Sequence, residues 1–263
     1  MAKKLSVLNF LSVLLAIAVN YYSQAVKLNG NTIGSLSAQY ENLFTPAGYA
    51  FSIWAVIYIA LLAYSVFQMY CAFKTEKHLD LIAKTGAWFI LANIGNTAWV
   101  FAWLYEFTGL SVLIMLLILF SLIKIILNTN MERWDAPLKV IAFSWWPICF
   151  YSGWIAVATI ANISAYLAKI GWDGWLFSEV QWTVTMIVVA TIINIIIIYT
   201  RNMREFALVG VWALVAIFVR HTGENEILAW IAMGGAILIF LNASYHGYKN
   251  KETSPMAKMK NNS

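Results

Sequence analysis

Eight stretches of the chain are apolar for long enough to cross a lipid bilayer as helices: residues 5–22, 49–73, 81–105, 110–127, 140–167, 180–199, 206–219 and 227–245. A hydrocarbon core about 30 Å thick needs about 20 helical residues at a rise of about 1.5 Å each. The stretch 206–219 is the shortest. Strands of a membrane barrel would alternate polar and apolar side chains. Residues 113–118 and 192–198 are apolar on both parities, so the spans read as helices. The expected fold class is all-α, a polytopic transmembrane helix bundle of eight spans.

Composition closes the other routes. Of 263 residues, 62% are hydrophobic and 11% charged, against roughly 25% charged in a soluble domain. Mean hydropathy is +0.72. One core of this size cannot hide that much apolar surface. A soluble enzyme, a disordered chain and a disulfide scaffold are excluded. The net charge of +5 reflects membrane topology, not nucleic acid. With eight spans and the N-terminus inside, only Lys27, Lys169 and Arg220 of the 17 lysines and arginines fall outside. That asymmetry obeys the positive-inside rule. It implies both termini in the cytoplasm; the expected location is an integral membrane site, a bacterial inner (plasma) membrane. Residues 1–25 also read as a cleavable signal peptide, with a basic start and Ser23-Gln24-Ala25 before a cut. Cleavage would leave seven spans.

The connections are short except for 23–48, a polar loop ending Thr45-Pro46-Ala47-Gly48. A loop of that length over a bundle is either a lid or an exposed connector. Three parts follow: residues 1–168 with this outer loop, three further helices over 169–248, and a basic tail over 249–263. Cys71 and Cys149 show no metal spacing and read as small apolar packing residues. No metal ligand set and no catalytic constellation is evident. Ionisable side chains are nearly absent from the span interiors, where proton relays and ion paths would need them.

Aromatics and amides are abundant instead, with 13 Trp, 13 Tyr and 15 Phe. Trp134, Trp172, Trp175 and Trp182 lie near span ends and read as interfacial belt residues. Trp99 and Trp103 share one helix face with Asn96, and Trp154 shares a face with Asn162. Such amides serve either as helix–helix glue or as polar points in an aromatic pocket.

At these residues the chain resembles the translocator-protein / tryptophan-rich sensory protein (TspO/MBR) family of five-helix membrane proteins. Pro46-Ala47-Gly48-Tyr49-Ala50-Phe51-Ser52-Ile53-Trp54, with Tyr58, is similar to the family's Pro-Pro-x-Trp-x-Phe-x-x-x-Trp-x-x-Leu-Tyr, one residue shorter before Trp54. Asn96-Thr97-Ala98-Trp99, with Phe101 and Trp103, resembles Asn-x-x-Trp-Ser-x-x-Phe-Phe. Trp154-Ile155-Ala156-Val157-Ala158-Thr159-Ile160-Ala161-Asn162 resembles Trp-Val-x-Phe-Ala-x-x-Leu-Asn. The likeness covers about residues 5–168, and the last three spans have no counterpart in the five-helix pattern.

The resemblance implies a pocket for porphyrins between the helices under the first loop. It implies Trp54, Asn96, Trp99, Trp154, Ala158 and Asn162 as ligand-binding residues, with Phe51 and Trp103 beside them. Aromatics would stack, Ala158 would let a ligand plane approach, and the asparagines would orient a polar edge. No cofactor is required, and porphyrin or haem would be the ligand. The expected partners are the lipid bilayer and a hydrophobic small molecule, with no nucleic acid; a homo-oligomer is compatible. The alternatives are a transporter of a small hydrophobic molecule, an accessory subunit without ligand and, least supported, an enzyme.

Overall fold

The computed structural model describes residues 1–40 and 42–251, so most of the basic tail lies outside the described residues. Among these residues every regular element is helical. Eight long helices carry the fold: α1 (Ala2–Val26), α2 (Ile53–Tyr70), α3 (Trp88–Leu104), α4 (Thr108–Asn128), α5 (Trp146–Lys169), α6 (Glu179–Arg201), α7 (Arg204–His221) and α8 (Glu226–Lys249).

Helix α1 shows what solvent the chain is built for. It buries Ser6, Asn9, Ser12, Asn20 and Ser23 and exposes Leu8, Leu11, Leu14 and Leu15. In water this would be inside out. In lipid the leucines face hydrocarbon, while the polar groups must find partners within the protein. They do. Asn9 Nδ2 donates to Gln68 Oε1 of α2 at 2.6 Å, Asn93 Nδ2 of α3 donates to Ser12 Oγ at 3.1 Å, and Asn20 Nδ2 donates to Asn96 Oδ1 at 2.9 Å. The protein is an integral membrane helix bundle.

Six helical segments are long and apolar enough to span by themselves, and a bent pair makes a seventh. The bend lies in the stretch read as 81–105. Helix Leu79–Thr85 meets α3 at 48°, and Gly86 holds φ 56°, ψ −143° between them, a conformation side chains disfavour. The remaining long helix is α7, the shortest expected span. Its 18 residues include Arg204, Glu205 and Arg220, all at its ends. Half of its residues are buried between other helices. Its charge, not its shape, sets it apart from the spans that qualify by composition. A further distortion precedes Pro147, where a π-turn over Ile141–Trp145 leads into α5. Proline lacks the N–H that would bond four residues back, and such a turn accommodates the loss.

The first five helices close a ring in the spatial order α1, α2, α5, α4, α3. Helix α7 packs against the outer side of α5, and α6 and α8 pack around α7. The joint between ring and appendage needs Gly153. A Cβ there would stand 2.8 Å from the Phe206 carbonyl oxygen and 3.0 Å from Val209 Cβ. Gly153→Leu must drive α5 and α7 apart, and such overpacking costs about 2 kcal/mol. In a denaturant titration followed by circular dichroism, Gly153→Leu should be destabilised by that amount. Gly34→Ala, where a Cβ meets nothing within 4 Å, should match the native chain.

Candidate functional site

Inside one end of the ring, under the long loop, lies an aromatic slot. One wall is α5, which presents Trp154, Val157, Ala158, Ala161, Asn162 and Ala165. These positions recur every three to four residues and so share one helix face. Trp54 comes from the start of α2 and Phe51 from the 3-10 turn Gly48–Ser52 before it, Trp99 and Trp103 from α3, and Met115 from α4. The loop closes the top with Ile33, Ser37, Asn42, Thr45 and Pro46.

The rings form two groups. Trp99 and Trp103 stack with centroids 5.8 Å apart and planes at 12°. Trp154 meets Trp54 edge to face at 6.5 Å and Phe51 at 6.1 Å. Two tryptophan N–H groups are held. Trp99 Nε1 donates to Asn162 Oδ1 at 2.8 Å, and Trp103 Nε1 donates to the Ile33 carbonyl at 3.3 Å. The third is not. Trp154 is 2% exposed, and its Nε1 has no hydrogen-bond partner. A buried donor without an acceptor is costly, and it leaves a directed polar point in a largely apolar slot.

Asn162 is a junction as well as a lining residue. Its Nδ2 donates to Ser111 Oγ of α4 at 2.9 Å, while its Oδ1 takes the Trp99 proton. It therefore ties α5 to α3 and α4. Asn96, expected in the pocket, is placed away from the slot lining. Its Oδ1 accepts from Asn20 Nδ2 and, at 3.3 Å, from the Tyr58 hydroxyl. That amide joins α1, α2 and α3 and does not line the slot. The other seven expected residues (Phe51, Trp54, Trp99, Trp103, Trp154, Ala158 and Asn162) do surround it.

The slot is narrow, with about 50 Å³ of open volume. Its lid is built locally. Helix Ile33–Gln39 starts at Thr32, whose side chain and that of Ser35 cap each other's backbone N–H. At the rim Tyr40 donates to Glu106, and the Lys169 ammonium sits 5.3 Å over the Tyr40 ring. Burial, and then the bond to Glu106, push the Tyr40 phenol up to about 12, so it keeps its proton at neutral pH.

The lid is also fastened to the appended helices. Ala47 N donates to the Ala216 carbonyl at 3.0 Å, Trp212 Nε1 donates to the Ala50 carbonyl at 3.1 Å, and His221 Nε2 pairs with the Leu43 carbonyl at 2.8 Å. Leu43 N donates to Glu179 Oε1 of α6 at 3.1 Å. Beside the slot, on the other face of α5, a wider cavity of about 660 Å³ opens between α5 and α6. Its walls include Ile160, Ile163, Leu167 and Met186, and it shares Asn42 with the slot.

The family model of TSPO-like protein matches residues 6–245. The chain belongs to the TSPO-like protein family. The match runs through α6, α7 and most of α8, so the appended helices lie within the family's extent. The motif likeness had stopped near residue 168. No protein of established function and no solved structure matches this TSPO-like chain.

The sequence placed the loop 23–48 over the pocket without singling out its lining residues, and it missed Met115, Val157, Ala161 and Ala165. The small residues on α5 carried a usable signal. Positions 154, 158, 161 and 165 form a stripe of small residues running from a tryptophan. Nothing in the sequence marked Met115, one apolar residue among many in α4.

Proposed function

We propose that this TSPO-like protein binds a planar hydrophobic ligand of the tetrapyrrole class in the slot, to sense or carry it. The unpartnered N–H of Trp154 carries this reading. It offers a single donor to a ligand whose faces are apolar and whose edge holds an acceptor, such as a propionate. Stacked and edge-on rings around it suit a flat π-system. No cofactor is required: porphyrin or haem is the ligand, and the chain acts as a binder rather than an enzyme. The narrow slot must widen to admit a macrocycle, and the loop above it is the wall that would move. The concentration of lysine and arginine on the terminal side supports cytoplasmic termini, in a plasma or bacterial inner membrane.

The test is a titration of the detergent-purified protein with protoporphyrin IX, followed by tryptophan fluorescence. Saturable quenching at micromolar ligand is expected. Trp154→Phe keeps the ring and removes the N–H. It should weaken binding about tenfold, the equivalent of one hydrogen bond near 1.4 kcal/mol. Quenching that never saturates and ignores the substitution would mean that porphyrin only partitions into the micelle, and the reading would fail.

A further inference from the structure

Toward the other end of α5, three side chains from three segments converge. Glu132 comes from the connection between α4 and α5, Cys149 from the first turn of α5 and Glu205 from the first turn of α7. Their ligand atoms all lie within 4.8 Å of one another. Cys149 is fully buried and both glutamates are half-buried. Glu205 Oε2 is buried with no hydrogen-bond partner.

The glutamates also line a cavity of about 290 Å³ with Arg204, His246 and Trp145. His246 is 8% exposed and Trp145 2%, yet His246 Nδ1 and Trp145 Nε1 have no partner. Two neighbouring carboxylates repel, and the repulsion grows as water is removed. A buried carboxylate oxygen without a partner is costlier still. A cation between the carboxylates relieves both.

We propose that Glu132, Cys149 and Glu205 form a binding site for a divalent metal ion of borderline softness, of the zinc class. The donor set selects the class. Calcium and magnesium take oxygen ligands alone, whereas a thiolate with carboxylates suits zinc and its neighbours. On binding, the Cys149 S–H bond breaks, a sulfur–metal bond forms and the proton leaves to solvent. One thiolate and two carboxylates against a charge of +2 leave −1, which the Arg204 guanidinium in the same cavity offsets. Three protein donors leave a fourth tetrahedral position for water, and His246 is a further nitrogen donor in that cavity. The ion would join the five-helix ring to α7.

Cobalt(II) reports the site, because a thiolate ligand gives a charge-transfer band in the near ultraviolet. Full-length, tag-free protein, stripped with a chelator, is titrated with cobalt and then competed with zinc. The expected result is one cobalt per chain with that band, displaced by zinc. Cys149→Ser should abolish the band and Cys71→Ser should keep it. These are the only two cysteines in the chain, so the assignment is unambiguous. Glu205→Gln, which preserves shape, should weaken cobalt binding at least about tenfold. No band at saturating cobalt, a band that survives Cys149→Ser, or unchanged affinity in folded Glu205→Gln would each overturn the proposal.

Discussion

With leucine in place of Ala158, protoporphyrin IX will bind about a hundredfold more weakly, and its saturable quenching of tryptophan fluorescence will disappear from the micromolar range. Ala158 lines the slot between Trp154 and Asn162 on the same face of α5. Leucine adds three carbon atoms to a space of about 50 Å³. A ligand must then displace that side chain or forgo contact with the helix, and overfilling a packed site costs about 1–3 kcal/mol. The upper end of that range corresponds to about a hundredfold in affinity. The substitution leaves every hydrogen bond around Trp99, Trp103 and Asn162 in place, so the fold should survive and circular dichroism should be unchanged. Undiminished binding to folded Ala158→Leu would place the ligand elsewhere, with the wider cavity between α5 and α6 as the next candidate.

Asn162→Leu carries the largest expected loss of stability. The amide holds the Trp99 N–H and the Ser111 hydroxyl together across three helices. Leucine fills similar space but leaves both groups without that partner in a water-free interior. An interhelical hydrogen bond in a membrane protein averages about 0.6 kcal/mol, but stranded polar groups cost about 1–3 kcal/mol. The expected loss is about 2–3 kcal/mol, measured by unfolding in a mixed-detergent titration. The Ser111 hydroxyl still donates to the Thr108 carbonyl at 2.7 Å, so the Trp99 N–H is the donor left stranded, and adding Trp99→Phe removes it. The double variant should therefore lose less than the sum of the two single variants. Additive losses would mean that Trp99 and Asn162 do not work as a pair.

The helices were legible because lipid leaves little choice. Long apolar runs need their backbone groups satisfied within the segment, and seven of the eight expected stretches appear as helices near their limits, while the stretch 81–105 is broken at Gly86. What resisted reading depended on partners distant in the chain. Arg204–His221 looked like a marginal span because its charges crowd its ends. Only packing against α5, α6 and α8 shows why its middle is buried. The motif stripes brought Trp54, Trp99, Trp103, Trp154, Ala158 and Asn162 to one slot because each stripe is local to a helix face. Asn96 shared a face with Trp99 by spacing, yet Asn20, 76 residues earlier, captured its oxygen. Nothing in the local pattern announces that bond. The same limit hid the cluster at Glu132, Cys149 and Glu205. Its members are scattered over three segments, so no spacing rule finds them, and Cys149 alone reads as packing.

The attachment of the lid to α6 and α7 has a consequence for control. Opening the slot requires the loop to let go of carbonyl and carboxylate partners on the appended helices, so the state of those helices enters the free energy of opening. Linkage makes this reciprocal. Whatever favours the arrangement of α6 and α7 that grips the loop must lower affinity for a ligand that needs it lifted. A bound ligand must in turn loosen that grip. Under the proposed function, a five-helix bundle alone would gate itself, whereas the added helices would make the opening answerable to a second surface of the same chain, one that faces lipid.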